Sequence, residues 1–262
     1  MPAAGELKRL RALQQKKARE EEGRFLVQGK KMVAELLASL WKVETILATQ
    51  DAAEWVADKA QPRGVSVHVL PESELDRIGT FEKGNELIAI VETPGELPFK
   101  APAQNELALA LDGVKDPRNM GSLIRIADWF GLERVICSKE CMEVFNPKAV
   151  SSTMGSLFHV GVRTGVDLVE ELQQLRDKGA QIYIADMDGT PAFSASLTLP
   201  GVLVLGSESH GHSQAVEEIG AQVISIPRVG RAESLNVAMA AAALCMEFTR
   251  QCPASAPPAA PR

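Results

Sequence analysis

Short apolar segments alternate with amphipathic helical segments along almost the whole chain of 262 residues. Some of these segments, such as VLVL at 202–205, are apolar at every position, which is typical of strands in a parallel sheet covered on both faces. With 45% hydrophobic and 24% charged residues the chain can bury a core, so disorder is excluded as a description of the whole protein. The alternation predicts an α/β fold.

A proline-rich stretch, TPGELPFKAPAQN, interrupts the alternation at residues 93–105. A proline-rich stretch without a periodic pattern of apolar residues is typical of a domain boundary. We therefore predict a smaller N-terminal α/β domain over residues 1–95, a linker over 96–105 and a larger C-terminal domain over 106–251. Residues 252–262 cannot bury a core, which predicts a disordered tail.

Apolar periodicity places the helices and strands within each domain. In the N-terminal domain it predicts helices over 6–22, 31–40 and 51–60 and strands over 24–28, 43–48, 65–69 and 87–91. In the C-terminal domain it predicts strands over 107–111, 134–137, 181–185, 202–205 and 223–226 and helices over 122–130, 147–154, 168–178, 213–219 and 235–249.

Positive charge is concentrated at the N-terminus. Residues 1–31 hold nine lysines and arginines against four glutamates, although the whole chain has a formal net charge of −6. This asymmetry indicates that the basic part contacts a polyanion, with a solvated helix surface as the alternative interpretation.

The sequence predicts neither export nor membrane insertion. No run reaches the ~18 apolar residues that a membrane helix needs, and the N-terminus MPAAGELKRLRALQQKK lacks the apolar core of a signal peptide. The four cysteines, Cys137, Cys141, Cys245 and Cys252, match neither a disulfide framework nor a common zinc pair. We expect a protein with reduced thiols and no membrane partner, made and kept in the cytosol.

Three polar segments follow predicted strand ends, the places where open α/β sheets bind ligands. The structural interpretations are that Arg125 pairs with Asp128, that Asn119 or Ser234 caps a helix and that Glu208 lies in a solvated loop. Asn236 is harder to explain in this way, because asparagine is a poor helix former. The polar residues of interest are Asn119 and Arg125 in segment 111–131, Glu208 in segment 206–213, and Ser234 and Asn236 in segment 224–248.

Two histidines near Glu208 raise the alternative of a metal-dependent hydrolase. His210 and His212 are two residues apart and bracket Gly211. That spacing matches no metalloprotease helix motif, so we predict no metal site.

Together the three segments resemble the SpoU family of RNA ribose 2′-O-methyltransferases, members of the knotted SPOUT superfamily. Residues 145–160 are similar to the connecting segment of the family, and residues 19–37 to the N-terminal substrate-binding domain of many members. Ser151, Ser207 and Ser209 depart from the residues usual in the family. The matching residues are Asn119, Gly121, Arg125, Ala127 and Gly131 in the first segment, Gly206, Glu208 and Gly211 in the second, and Ile226, Pro227 and Ser234 to Ala238 in the third.

The resemblance implies a C-terminal SPOUT domain with a trefoil-knotted, mostly parallel sheet, and a smaller N-terminal α/β domain that binds RNA. It also implies a homodimer formed through the knotted domain. The implied cofactor is S-adenosylmethionine, held by backbone groups of Gly206, Ile226 and Leu235, without a metal.

The implied activity is methyl transfer to a ribose 2′-hydroxyl in structured RNA. We expect ribosomal RNA as the substrate, with transfer RNA as an alternative, and a non-catalytic RNA-binding or ribosome-associated factor as the rival function. Because arginine stays protonated at neutral pH, we expect Arg125 to donate to a phosphate and to the developing alkoxide; the group that accepts the proton stays open. The catalytic residues implied by the resemblance are Arg125, Asn119, Glu208, Ser234 and Asn236.

Overall fold

The computed structural model of the chain describes residues 4–95, 100–208 and 210–253. The predicted linker, 96–105, therefore falls partly outside the described residues, and the predicted tail, 252–262, falls mostly outside them. Within these ranges, no helix combines the length and the apolar character that crossing a bilayer requires.

The chain forms two compact units that do not follow its order in sequence. Two internal segments of the C-terminal part belong to the same unit as the N-terminal part. Among the described residues, the first unit holds 4–95, 120–125 and 142–159, and the second holds 100–119, 126–141, 160–208 and 210–253.

Helices and strands alternate through the N-terminal part of the first unit. They are, in chain order, α1 (Ala4–Ala12), α2 (Lys16–Glu22), β1 (Arg24–Gln28), α3 (Lys30–Ala38), β2 (Val43–Ala48), α4 (Gln50–Ala60), β3 (Ser66–Val69), α5 (Glu72–Ile78) and β4 (Leu87–Glu92). The strands form one sheet in the order β1-β4-β2-β3. In this sheet β4 is antiparallel to both of its neighbours, whereas β2 and β3 are parallel. The predicted α/β character of this part is confirmed.

The predicted helix over residues 6–22 is wrong, because two helices with a break after α1 occupy this stretch. At the break, the side-chain Nε2 of Gln14 donates to the carbonyl oxygens of Ile78 and Gly79, at 2.9 and 2.8 Å. Carbonyls at the end of a helix lack partners inside it, so Gln14 satisfies the end of α5. Helix α5 itself was not predicted, and it supplies this reason for the break.

A buried ion pair ties α2 to residues 142–159 within the first unit. Arg19 is only 3% exposed, and its guanidinium donates to the Glu143 carboxylate, with Nε 2.7 Å from Oε1 and Nη2 2.5 Å from Oε2. The remaining donor, Nη1, reaches the carbonyl oxygen of Leu13 at 2.7 Å. This arrangement satisfies both charges in a region that is largely shielded from water.

Aromatic rings of residues 142–159 also pack against rings of the N-terminal part of the first unit. The rings of Phe25 and Phe145 have centroids 4.8 Å apart, and those of Trp41 and Phe158 are 5.5 Å apart in an edge-to-face arrangement. Such pairs contribute packing energy beyond the area that they bury. Residues 142–159 are therefore held to the N-terminal part by apolar packing as well as by charge.

The remaining elements alternate in the way typical of a parallel sheet. They are β5 (Leu107–Asp112), α6 (Pro117–Trp129), β6 (Arg134–Ser138), α7 (Pro147–Ser152), β7 (Gly161–Val166), α8 (Leu168–Asp177), β8 (Gln181–Pro191), β9 (Gly201–Gly206), α9 (Gln214–Glu217), β10 (Gln222–Ser225) and α10 (Val237–Gln251). The strands form a sheet in the order β10-β8-β9-β5-β6-β7, in which every pair is parallel. The predicted parallel sheet is confirmed, whereas the trefoil knot stays a prediction.

Several elements of the C-terminal part differ from the prediction, including β8, which continues six residues beyond its predicted end at 185 to Pro191. Strand β7 was missed because it lies at the edge of the sheet, contains Gly161 and Gly165, and is not fully buried at any position. Helix α6 begins at Pro117, five residues before the predicted start at Ser122. Asp116 caps this helix and proline suits its first position, a combination that moves the start toward β5.

The strand order creates one place where neighbouring loops diverge. The chain leaves β5 toward β6 and β7 on one side, then crosses to β8 and β9 on the other side. Ligands of open α/β sheets bind at such a switch point, beyond the carboxyl ends of the strands. The loops after β5 and β9 meet this description.

Candidate active site

The loops after β5 and β9 are joined through a buried carboxylate. Asp112 is the last residue of β5 and is only 6% exposed. Its Oδ2 accepts a hydrogen bond from the backbone amide of Ser213 at 2.7 Å, across 101 positions of sequence. The sequence analysis missed Asp112, although a charged residue that ends the apolar run LALALD is a signal for a role at a strand end.

Asp116 fixes the start of α6 and thereby the position of Asn119. Its Oδ1 accepts hydrogen bonds from the backbone amides of Arg118 and Asn119, at 2.8 and 3.0 Å. Asn119 therefore lies in the first turn of the helix rather than capping it. The aspartate–proline pair at 116–117 is a helix-start signal that the sequence analysis did not use.

Helix α6 approaches α7 closely at Gly121, within the first unit. A Cβ atom at this position would lie 2.4 Å from the Cβ of Ser152 and 2.6 Å from the carbonyl oxygen of Ala149. Real Cβ atoms do not approach backbone so closely, so glycine is needed for this contact. The close contact fixes α6 between Asn119 and Arg125.

The loop after β9 closes on itself. The amide of Ser207 donates to the carbonyl of Gly211 at 2.8 Å, and the amide of Gly211 donates to the carbonyl of Ser207 at 2.9 Å. A Cβ atom at Gly206 would lie 2.5 Å from the carbonyl carbon of Gly211, so the loop can close only above a glycine. Ser209 lies outside the described residues.

Glu208 lies exposed in this closed loop. Partial loss of hydration raises the pKa of its carboxyl, and the nearby carboxylate of Asp116 raises the pKa further. Two like charges in one region indicate a site that would attract a cation or a hydrogen-bond donor. Glu208 is thus brought near the start of α6, as the strand order predicts.

The third segment places two asparagines in contact. The side-chain nitrogen of Asn236 donates to Oδ1 of Asn119 at 3.0 Å, across 117 positions of sequence. Oδ1 of Asn236 accepts from the amides of Ala238 and Met239, at 3.0 and 3.3 Å, so Asn236 is the N-cap of α10. The helix was predicted to begin at 235 with Ser234 as one interpretation of its cap, and both expectations are wrong.

Ser234 and Arg125 are exposed, and the structure assigns neither of them a side-chain partner among the described residues. Arg125 lies six residues after Asn119 on α6, about 9 Å further along the helix axis. The catalytic roles of Ser234 and Arg125 stay predictions.

The two histidines of the second segment make hydrogen bonds in and beside the loop after β9. His212 is 8% exposed, and its Nε2 lies 2.8 Å from the carbonyl oxygen of Ala185. The amide of His210 donates to Oγ of Ser207 at 3.1 Å. Among the residues that the structure describes, no three side chains of the metal-binding types are grouped as metal ligands would be.

The segment between β10 and α10 offers backbone groups to a ligand. Within residues 228–235, no backbone amide donates to a backbone carbonyl of the described chain. Ile226 is half-buried at the start of this segment, and Leu235 is 51% exposed at its end. Amides without a backbone acceptor beside apolar side chains fit a nucleoside-like cofactor such as S-adenosylmethionine, whose adenine and ribose need hydrogen bonds and whose rings need an apolar wall.

Comparison with known proteins gives an independent result. The model of the SpoU rRNA methylase family matches residues 106–246, and that of an MRM3-like substrate binding domain matches residues 5–89. A 23S rRNA (guanosine(2553)-2′-O)-methyltransferase of Bacillus subtilis is 31% identical over 233 residues, which cover 88% of this chain and 91% of the relative.

Two solved structures that contain S-adenosylmethionine are also similar. The SpoU methyltransferase AviRb of Streptomyces viridochromogenes has a TM-score of 0.86 at 28% identity, and the match covers 95% of this chain and 98% of that one. An rRNA methyltransferase of Sinorhizobium meliloti has a TM-score of 0.85 at 29% identity, with 95% and 97% covered. The resemblance stated from the sequence is confirmed: the chain belongs to the SpoU rRNA methylase family.

Proposed function

We propose that the protein transfers a methyl group from S-adenosylmethionine to a ribose 2′-hydroxyl of ribosomal RNA, with the cytosol as its compartment. The observation that carries this proposal is the contact between Asn119 and Asn236, which joins the first and third segments beyond the sheet. The Bacillus subtilis relative is named for this reaction on 23S rRNA, and two similar structures contain the cofactor.

Different residues of the chain would bind the cofactor and orient the ribose. Backbone groups of Gly206, Ile226 and Leu235 would hold S-adenosylmethionine, which when bound supplies an electrophilic methyl group on a sulfonium. Glu208, Ser234 and the two asparagines would orient the ribose. Alignment of this kind contributes ~7–11 kcal/mol to the lowering of a barrier.

Arg125 would act by charge. Its guanidinium would donate to the phosphate next to the reacting ribose and to the oxygen that becomes negative as the proton leaves. A guanidinium is a poor general base at neutral pH because arginine stays protonated. This reaction needs no metal ligand from the chain.

Ribose methylation mapped in total RNA, from cells with and without the gene, tests the proposal. Loss of one or more 2′-O-methyl marks from ribosomal RNA is the expected result. Loss of 2′-O-methyl marks from transfer RNA alone would identify transfer RNA as the substrate instead. Unchanged marks in both RNAs, with the protein still bound to ribosomes, would favour the non-catalytic factor.

Gly206→Ala is expected to weaken S-adenosylmethionine binding by about tenfold or more. The added Cβ would overlap the carbonyl group of Gly211, 2.5–2.6 Å away, so the loop must reopen. Overpacking of this type costs ~1–3 kcal/mol, and 1.4 kcal/mol is a factor of ten in affinity. Isothermal titration with the cofactor measures the change. Gly95→Ala, where an added Cβ has no atom within 4 Å, is the control, and equal affinity in both variants would contradict the assignment.

The basic N-terminal stretch is less available to RNA than its charge count indicates. Of its nine cations, six are in salt bridges, including Arg19 with Glu143 and Arg24 with Glu22 and Glu44. Among the described residues, Lys8, Arg9 and Lys31 have no such partner. We infer that these three supply phosphate contacts. The six paired cations are Arg11, Lys16, Lys17, Arg19, Arg24 and Lys30.

The triple variant Lys8→Ala, Arg9→Ala, Lys31→Ala is expected to weaken RNA binding and its dependence on salt. Each lost phosphate contact lowers the slope of log K against log salt by roughly 0.7–0.9, so three contacts lower it by about 2–3. Filter binding of ribosomal RNA by the full chain over a range of salt concentrations gives the slope. The double variant Lys16→Ala, Lys17→Ala removes cations that already have glutamate partners, and an equal loss of slope there would remove the basis of the assignment.

Helix α10 carries an exposed apolar stripe that supports a homodimer. Met239 is 66% exposed and Met246 is 62% exposed, with Ala243 exposed between them at helical spacing. The opposite face of the helix is buried through Leu244 and Phe248. Exposed apolar stripes of this kind mark protein interfaces, and we infer that the occupant is a second copy of the chain.

The variant Met239→Glu, Met246→Glu is expected to shift the protein from dimer to monomer, because the charges would lose water at the interface. Sedimentation velocity distinguishes the two states. Leu40→Glu, at a fully exposed apolar position in the first unit, is expected to remain dimeric. A wild-type protein that sediments as a monomer would contradict the dimer.

A further inference from the structure

The turn after α7 holds a methionine in a conformation that suits glycine. Met154 has a φ of 54° and is the one non-glycine residue with a positive φ among the residues that the structure describes. In this left-handed region the side chain of an L residue crowds the following carbonyl oxygen, and glycine usually occupies the position because it has no Cβ. Met154 therefore stores backbone strain, which is concentrated at functional sites in proteins.

The residues on either side keep Met154 in this conformation. Thr153 is fully buried, and its Oγ1 donates to the carbonyl oxygen of Val150 at 2.7 Å. Gly155 has a φ of 107°, and a Cβ atom there would lie 2.7 Å from Cγ of Glu35 on α3. Because both neighbours are held in place, Met154 cannot adopt a negative φ unless the whole turn moves.

The helix contact at Gly121 places this turn near Arg125 within the first unit. A Cβ atom at Gly121 would lie 2.4 Å from the Cβ of Ser152. Met154 follows Ser152 by two residues, so their Cα atoms are at most ~7 Å apart. Arg125 lies on the same face of α6 as Gly121, four residues and ~6 Å further along the axis. Arg125 and Met154 therefore flank the same contact between α6 and α7.

The exposed groups around this contact suit RNA. Met154 is 40% exposed although its side chain is apolar, and the cations of Arg125 on α6 and Lys148 on α7 are also exposed. A carboxylate, that of Glu35, lies near the turn and is 3.5 Å from Nε2 of His159. An exposed apolar side chain with cations nearby fits a nucleobase and its flanking phosphates.

We propose that Met154 positions the RNA substrate by packing against an unpaired nucleobase next to the ribose at Arg125. The side chain would act as an apolar wedge, since a methionine sulfur packs well against an aromatic ring. A base held in this way has left the stack of a duplex, so the substrate is RNA with unpaired nucleotides at the target. This inference rests on the proposed function, because it uses Arg125 as the place where the ribose binds.

Binding of an unmodified ribosomal RNA transcript by the full chain, without S-adenosylmethionine, tests the proposal. Met154→Ala and Met154→Gly both remove the side chain and are each expected to weaken binding by about three- to tenfold. Met154→Leu keeps an apolar side chain and is expected to stay within about twofold of the wild type. A short, fully paired RNA duplex is expected to bind to all four proteins equally. The measurement involves no methyl transfer, so its result is separate from success or failure of the proposed activity.

Urea unfolding distinguishes a contact with RNA from a structural role. The glycine substitution relieves the positive φ and the alanine substitution does not, so Met154→Gly is expected to unfold at a higher urea concentration than Met154→Ala. If the side chain only supported the turn, the glycine variant would also bind RNA more tightly than the alanine variant. Equal, weakened binding by both variants supports a direct contact.

Leu40→Ala is the control for loss of an exposed apolar side chain. Leu40 is fully exposed in the same unit and has no positive φ, so its loss is expected to change RNA affinity by less than about twofold. Wild-type affinity in Met154→Ala, or an equal loss of affinity for the paired duplex, would overturn the proposal. A change from dimer to monomer in Met154→Ala, at unchanged RNA affinity, would assign this surface to a second copy of the chain and also overturn it.

Discussion

Replacement of Arg125 by alanine is expected to lower the rate of methyl transfer by ~10²-fold or more, because loss of a donor that stabilises developing charge has an effect of this size. The fold and the affinity for S-adenosylmethionine are expected to stay unchanged, since Arg125 is exposed and makes no salt bridge with a described residue. Transfer of a labelled methyl group to ribosomal RNA measures the rate, circular dichroism reports the fold, and titration gives the affinity.

Arg118→Ala is the matched control for this variant. Arg118 is also an exposed arginine of α6, in its first turn, and only its backbone amide takes part in the helix cap. Its loss is expected to change the rate by less than about threefold, in line with the small effects of exposed charges. An Arg125→Ala protein that keeps more than about a tenth of the wild-type rate would show that the charge of Arg125 is not used in the reaction.

Arg19→Ala is expected to reduce the free energy of unfolding by ~3–5 kcal/mol. The variant leaves the Glu143 carboxylate, only 14% exposed, without its partner, and an unpaired buried charge is far more costly than a lost surface pair. The carbonyl oxygen of Leu13 also loses its donor. Urea unfolding followed by tryptophan fluorescence measures the change.

Two further variants show whether burial is the cause. Lys16→Ala breaks an exposed pair with Glu20 and is expected to cost less than ~1 kcal/mol. The double variant Arg19→Met, Glu143→Leu removes both charges and is expected to recover most of the stability lost in Arg19→Ala. If Arg19→Ala and Lys16→Ala unfold at the same urea concentration, residues 142–159 are not held in the first unit by this pair.

Local patterns were sufficient for the elements with a strong apolar signal. Strands β1 and β2 have the predicted bounds, and each contains a short apolar run, FLV in β1 and ILA in β2. Strand β7 has no such signal, since an edge strand needs no apolar face on its outer side. The break between α1 and α2 could not be predicted from periodicity, because its cause is the end of a helix some 60 residues later.

In the candidate site, too, some features could be predicted from local sequence patterns and others could not. Glycine and polar residues at strand ends identified Gly206, Glu208 and Asn119, and the strand order explains why their loops lie at one edge. The capping of α10 by Asn236 rather than Ser234 was not predictable, because serine and asparagine are equally good caps. The hydrogen bond between Asn119 and Asn236 favours Asn236 as the cap of α10. A contact across 117 positions leaves no local pattern in the sequence from which it could be predicted.

The position of the transferred methyl group tests the central claim most directly. Purified full-length protein would be incubated with unmodified ribosomal RNA and S-adenosylmethionine carrying an isotopic label in its methyl group. Nucleosides from the RNA would then be analysed by mass spectrometry. The account predicts the label on the ribose of one nucleoside, together with a phosphodiester linkage that resists alkali. Label on a base, with every linkage still cleaved by alkali, would contradict it.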